Sequence, residues 1–310
     1  MLNKKPHTNL SLLTLLSLLS LVSCTDEQNT SSSSSNHPLT FAVTEQGWRS
    51  NYVQLTRSTT LDALQASDAG FGIYFTLGDL TLANQHVTWD DTQSKWNYGN
   101  TIIWPIEQKI PANFTVYAYA PYDADGTYAD GSTVAFDNEN NQLTFTPAND
   151  NQTDLLWANS SRDNDVMSLH FQHPLAKISF GTITNNYGRD ITLKSIEVSG
   201  VFYTKGRLSL TNGTWGQAWE NLESDGTKTI TRPDINLNVA DGATEVITTN
   251  PILQIPTPDA ASGPDATIIF TFNTTDFGDE TATFTIPLER GKDKELNLTI
   301  TNNFEVVWNE

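Results

Sequence analysis

The chain is 310 residues long and carries 36 acidic against 17 basic side chains, a formal net charge of −19 at pH 7. A surface of that sign repels nucleic acid and anionic lipid headgroups, so neither is an expected partner. A single cysteine excludes an intramolecular disulfide and a multi-cysteine metal centre, and the length suffices for two domains of ordinary size.

Lys4 and Lys5 precede an apolar stretch from Leu10 to Val22 that holds eight leucines. This is too short to span a bilayer as a helix and has the size of a signal-peptide core. It ends in Leu21-Val22-Ser23-Cys24, which resembles a bacterial lipobox: the cysteine sulfur is alkylated by a diacylglycerol, the chain is cut before it, and the new amino group is acylated. Residues 1–23 are therefore expected to be a lipoprotein signal peptide and Cys24 the lipidation site. Several acyl chains on one residue hold a protein on a membrane, since each buried methylene adds about 0.8 kcal/mol. Residues 24–38 are acidic and serine-rich without a large apolar side chain, the composition of a flexible tether. Asp26 and Glu27 resemble the export signal that sends Bacteroidetes lipoproteins to the outer face of the outer membrane.

From Leu39 onward the dominant period is two. "LTFAV" places Leu39, Phe41 and Val43 on one face, and "TLDALQA" at 60–66 is the single stretch that reads as a helical turn. "ATIIFTFNT" aligns Ile268, Phe270 and Phe272, and "TATFTIPL" aligns Phe284, Ile286 and Leu288. At the C-terminus, "ELNLTITNNFEVVWN" puts Leu296, Leu298, Ile300, Asn302, Phe304, Val306 and Trp308 at even positions, while the odd positions are polar apart from Val307. Clusters such as "NNYGRD", "TNGTWG" and "DAASGPD" separate the apolar runs as turns do in antiparallel sheets. Many short strands with almost no helix predict β-sandwiches. The polar stretch "NSSRDND" at 159–165 divides them, giving an N-terminal sandwich over 39–164 and a C-terminal one over 165–310.

The sequence offers little chemistry. His170 and His173 in "SLHFQHPL" sit three apart on a strand pattern and so point to opposite faces, a poor arrangement for a shared metal. "DADGTYADG" supplies Asp123, Asp125 and Asp130 with Gly126, but lacks the distal glutamate of a calcium loop and reads as a solvated turn. No G-x-S-x-G, H-E-x-x-H or glycine-rich phosphate loop occurs, so no enzyme activity, metal or cofactor is expected. Of the eight tryptophans, Trp104, Trp157 and Trp308 lie in apolar strand patterns and are expected in the core. Trp48, Trp89, Trp96, Trp215 and Trp219 lie in polar, turn-rich contexts and are candidates for exposure.

Several blocks taken in order are similar to the fimbrillin family of Bacteroidales surface lipoproteins, the subunits of type V pili. They are "TRST", "GFGIYF", "WPIEQKIPANFTVYAYAPYD", "TDLLWA", "LHFQHPLAKISF", "ITLKSIEVSG", "LQIPTP" and a last strand ending in tryptophan. The resemblance implies two tandem transthyretin-like β-sandwich domains, an all-β fold. It also implies assembly: an arginine-specific protease cuts in a loop after the first strand, the lipidated segment leaves with that strand, and a neighbour's strand fills the apolar groove. The matching arginine is Arg57 in "QLTRSTTL", with Arg49 as the second candidate. The candidate exchange strand is the alternating segment from Leu296 to Trp308. Partners implied are other fimbrial subunits, the protease, the outer membrane through the lipid anchor, and a host or bacterial surface receptor. The chain ends two residues after Trp308, as a plain subunit without a further tip domain would. The competing reading is a lipid-anchored surface module that binds glycan or host protein without polymerising.

Overall fold

"FGIYF" and "YAYA" are apolar at every position because both faces of their strands are covered. In strand β2 (Phe71–Leu77), Phe71, Ile73 and Phe75 enter one core and Tyr74 another; in β5 (Tyr117–Ala120), Ala118 and Ala120 enter the first and Tyr119 the second. Such strands lose the apolar/polar alternation of a half-exposed sheet but keep its alternation of partners. The computed structural model describes residues 40–48, 60–66, 69–77, 80–98, 114–163, 166–216, 222–223, 227–256 and 265–309, all within one compact unit.

These two strands belong to a seven-stranded sheet with β1 (Thr40–Glu45), β3 (Leu80–Asp90), β4 (Lys95–Asn97), β8 (Leu156–Asp163) and β9 (Val166–Phe171), in the order β1-β9-β8-β5-β2-β3-β4. The sheet curls until its end strands β1 and β4 approach one another around Phe41, Phe71, Val87, Trp96, Val116 and Phe171. The helical turn expected at 60–66 is α1 (Leu61–Gln65). Thr60 caps it by accepting the Ala63 amide at 3.2 Å, and Leu64 is its buried side chain.

On the other face of the sheet, Tyr74, Tyr119 and Trp157 pack against a four-stranded sheet of β6 (Thr133–Asp137), β7 (Gln142–Thr146), β12 (Lys205–Ser209) and β13 (Leu222–Glu223). Gly213 lies against Trp157 with φ of +69°, and a Cβ there would stand 1.9 Å from the Trp157 ring. Only glycine permits both the backbone and the approach.

The C-terminal half is a sandwich with a core of its own, drawn from residues 176 to 308. One sheet holds β10 (Ala176–Asn185), β16 (Thr244–Val246), β17 (Ile252–Gln254), β20 (Asp293–Ile300) and β21 (Val306–Asn309), in which β20 lies between β10 and β21. The other holds β11 (Ile191–Val201), β14 (Thr227–Arg232), β15 (Leu237–Val239), β18 (Ala266–Thr274) and β19 (Gly278–Ile286). Ile268, Phe270 and Phe272 face this core as their alternation requires.

The structure departs from the sequence reading in four places. Two pairings are parallel, β1 with β9 and β10 with β20, where antiparallel sheets were expected. The boundary between 164 and 165 falls between paired strands, with Asp163 opposite Val166, and β12 returns across it to pair with β7. Its polar residues are not a solvated linker: Ser160 Oγ accepts the Val116 amide at 2.8 Å, and Asn159 Nδ2 donates to the Leu210 and Thr211 carbonyls. The core that holds Tyr74, Tyr119 and Trp157 also takes Tyr203, Leu208, Trp215 and Leu253, so the cores of the described residues do not divide at one point in the sequence. The alternating C-terminal segment is not one strand but a hairpin, in which Leu298 faces Trp308 and Ile300 faces Val306. Phe304 occupies the turn with φ of +58°, and the hairpin returns even positions to the same face, so the alternation survives the reversal. Finally, Trp96 and Trp215 are buried, because Trp96 pairs across strands with Trp89 and the Trp215 indole donates to the Pro174 carbonyl at 2.7 Å. Trp48, Trp89 and Trp308 are half-buried, Trp157 is buried, and Trp104 and Trp219 lie outside the described residues.

Candidate functional site

Strand β1 is six residues long and lies at the end of its sheet, joined by a parallel ladder from Thr40 opposite Val166 to Glu45 opposite Phe171. Phe41 enters the core, edge-on to Phe71 and to Tyr98 at 6.0 Å each, while Val43 packs beside it half-buried. The ladder continues one residue beyond the strand, where the Gln46 amide donates to the Phe171 carbonyl at 2.8 Å. Thr44 Oγ1 also meets His170 Nδ1 at 2.7 Å near the surface.

A buried polar cluster receives the chain as it leaves β1. His173 Nε2 lies 3.0 Å from Glu45 Oε1 and His173 Nδ1 lies 2.9 Å from Asp154 Oδ1, with the imidazole side chain 2% exposed. Trp48 stacks on that imidazole at 4.2 Å and donates its indole N–H to Asp154 Oδ2 at 3.2 Å. Behind the indole, Lys177 Nζ stands 5.4 Å from the ring centroid and 3.1 Å from Asp293 Oδ2. Ser179 Oγ donates to Asp293 Oδ1 at 2.6 Å. Burial opposes charge on His173, but the Asp154 and Glu45 carboxylates outweigh it and raise the imidazole above its ordinary value. His170 and His173 thus have separate surroundings. The signal that sequence reasoning missed was Lys177, a lone cation inside the apolar run "LAKISF". Its carboxylate partner stands opposite it in the β10–β20 ladder, a pairing only the folded chain reveals.

The candidate exchange residues divide into two groups. Leu296, Leu298 and Ile300 are buried in β20, in the interior of their own sheet. Val306 and Trp308 lie in the edge strand β21 and Phe304 in the turn before it, all three only half-buried against the core. Trp308 meets Phe284 at 6.3 Å and Phe304 meets Tyr187 at 5.2 Å, both edge-on. Cys24, Arg49 and Arg57 lie outside the described residues.

The aspartates of "DADGTYADG" serve the backbone. Asp123 Oδ1 accepts the Asp125 and Thr127 amides at 2.9 Å, and Asp130 accepts the amides of Ser132, Gln152 and Thr153 together with the Thr153 hydroxyl. Among the described residues no group of three or more histidine, cysteine or acidic side chains is placed to hold a metal ion. Burial pushes the Asp130 carboxyl up, but these donors prevail and hold it below the usual range. Its contribution is therefore present above the ordinary carboxylate pKa and lost as pH falls through the depressed one. Asp130→Ala is expected to cost about 1–3 kcal/mol at neutral pH by orphaning amides that are part-buried. Calcium is expected to leave the melting temperature of the native protein unchanged, and a shift of several degrees in differential scanning fluorimetry would contradict this assignment.

The architecture is that of a multi-sheet β-sandwich protein in which an edge strand near the N-terminus is held by a ladder on one side and a buried ionic cluster at its end. The fimbrillin-like family profile matches residues 56–309, and the chain belongs to that family. A fimbrial protein from Bacteroides vulgatus is similar in fold, with a TM-score of 0.55 and 19% identity over 88% of this chain and 98% of that one. A candidate adhesin from Bacteroides thetaiotaomicron has a TM-score of 0.50 at 11% identity, over 88% of this chain and 94% of its own. The comparison with curated proteins gave no match. Among the described residues no helix is long and apolar enough to cross a membrane.

Proposed function

We propose that the chain is a fimbrial subunit, exported to the cell surface as a lipoprotein on Cys24 and assembled when cleavage at Arg57 frees the N-terminal strand. The observation that carries this reading is the position of β1. It is a terminal edge strand whose Phe41 fills the core, and it precedes Arg57 in the chain. Its departure would withdraw Phe41 from between Phe71 and Tyr98, a loss of roughly 1.5–3 kcal/mol of burial. It would also bare the β9 edge, a row of main-chain donors and acceptors that another strand can satisfy. Among the donor candidates, β21 with Phe304, Val306 and Trp308 sits at an edge and can leave by breaking one ladder. Leu296, Leu298 and Ile300 would have to leave the interior of a sheet and break two.

The test uses unlipidated precursor and an arginine-specific protease. Cleavage is expected to remove the N-terminal fragment and to yield a polymer ladder on gels, and Arg57→Ala is expected to abolish both while leaving the melting temperature unchanged. A protein that is cut, loses the fragment and remains a monomer would overturn the assembly reading in favour of a lipid-anchored surface module for glycan or host protein.

A further inference from the structure

We propose that the Glu45–His173–Asp154 cluster is a proton-dependent latch on the N-terminal strand, closed in acid and open in alkali, which sets how fast the strand leaves after the chain is cut. The inference rests on the reading that this strand is released, and adds its regulation. Glu45 and Trp48 both precede Arg49 and Arg57, so a cut at either arginine leaves them on the departing fragment. His173, Asp154 and Lys177 remain on the body. After cleavage the cluster joins two separate chains, and its strength adds to that of the ladder.

The geometry makes the proton decisive. A neutral imidazole has one N–H and one lone pair, whereas the imidazolium donates from both nitrogens. In this site both nitrogens face carboxylate oxygens, at 2.9 and 3.0 Å. Only the protonated ring can donate to both at once. Loss of the proton would set a lone pair against a carboxylate in a site nearly closed to water, and the bond to Asp154 or the bond to Glu45 must then fail. The Glu45 bond is the one that ties down the strand.

The charged surroundings act in the same direction. Glu45 comes from β1, Asp154 from the segment before β8, Asp293 and Glu295 from β20, and Lys177 from β10. Arg290 lines the small open cleft beside His173, together with Gln46 and Gly47. Of the two cations, Lys177 is engaged with Asp293, and the carboxylates that raise the imidazole are those of Asp154 and Glu45. With the imidazole raised above its ordinary value, the stabilisation is present while the ring is protonated and is lost as pH rises through the raised folded value.

Two measurements on the unlipidated precursor test the latch. Hydrogen exchange of the 40–45 amides in the uncut protein, corrected for the chemical rate, reports opening of β1. The rate at which the fragment leaves the protease-cut protein reports release. Both are expected to accelerate about tenfold or more between about pH 6 and pH 9, as one proton is linked to opening. In His173→Gln and Glu45→Gln both are expected to be fast and nearly independent of pH, with the exchange of β18 amides confirming that the C-terminal sandwich stays folded. A native protein whose β1 opening does not change with pH, or a His173→Gln variant with the native pH profile, would overturn the latch. If β1 opening follows pH but the cut fragment never leaves, the latch stands and the release reading fails. If the fragment leaves at one rate at every pH, the release reading stands and the latch fails.

Discussion

Ile300→Asp is expected to unfold the C-terminal sandwich instead of yielding a folded subunit that cannot assemble. Ile300 is 0% exposed, and β20 has β10 on one side and β21 on the other. The substitution places a carboxylate in the apolar core that Ile300 shares with Ile183, Ile191 and Phe272. Loss of the isoleucine burial and desolvation of the new group together cost about 4 kcal/mol or more. That is a large share of the roughly 5–15 kcal/mol that holds a domain together. Val307→Asp is the control: Val307 is 41% exposed on the next strand, and a change of about 0.5 kcal/mol or less is expected there. Urea denaturation followed by tryptophan fluorescence measures both. An Ile300→Asp protein with the native midpoint would show that β20 is not held in the interior of this sheet.

Asp293→Ala is expected to be nearly as damaging, through a different mechanism. Lys177 and Asp293 stand opposite one another in the parallel β10–β20 ladder, and both side chains are 0% exposed. Removing the carboxylate leaves an ammonium that water cannot reach, a loss of about 3–5 kcal/mol when one partner of a buried pair is taken away. Replacing both, as Lys177→Met with Asp293→Leu, is expected to recover most of that loss, because neither charge is then desolvated. A double-mutant cycle in urea gives the coupling. If Asp293→Ala and the double variant are equally unstable, the ion pair is not what holds this corner. Lys177 also supports the Trp48 indole, so the double variant is expected to loosen β1 even where global stability returns.

The local grammar of the chain was legible without coordinates. Alternation in "ATIIFTFNT" and "TATFTIPL" located β18 and β19, "TLDALQA" located α1, and membership of the fimbrillin-like family confirmed the resemblance carried by the ordered blocks. The asparagines of "ITNNFEVV" were a turn signal between β20 and β21. Even positions are apolar on both sides of Asn302, and that continued alternation masked the reversal. Trp96 and Trp215 sat among polar neighbours, yet burial is set by what returns over a side chain from elsewhere, and adjacent residues do not report that.

What the sequence determined by itself is which segments extend and which of their faces are apolar, since backbone sterics and side-chain alternation act over a few residues. What only the tertiary structure decided is which strands meet. Thr44 and His170 touch across 126 residues, and Ser179 and Asp293 across 114. The parallel seat of β1, the burial of Lys177 against Asp293 and the two carboxylates on His173 depend on those meetings. A strand's free edge accepts any partner of suitable pattern, and the choice among them is made by the packing of all the sheets together.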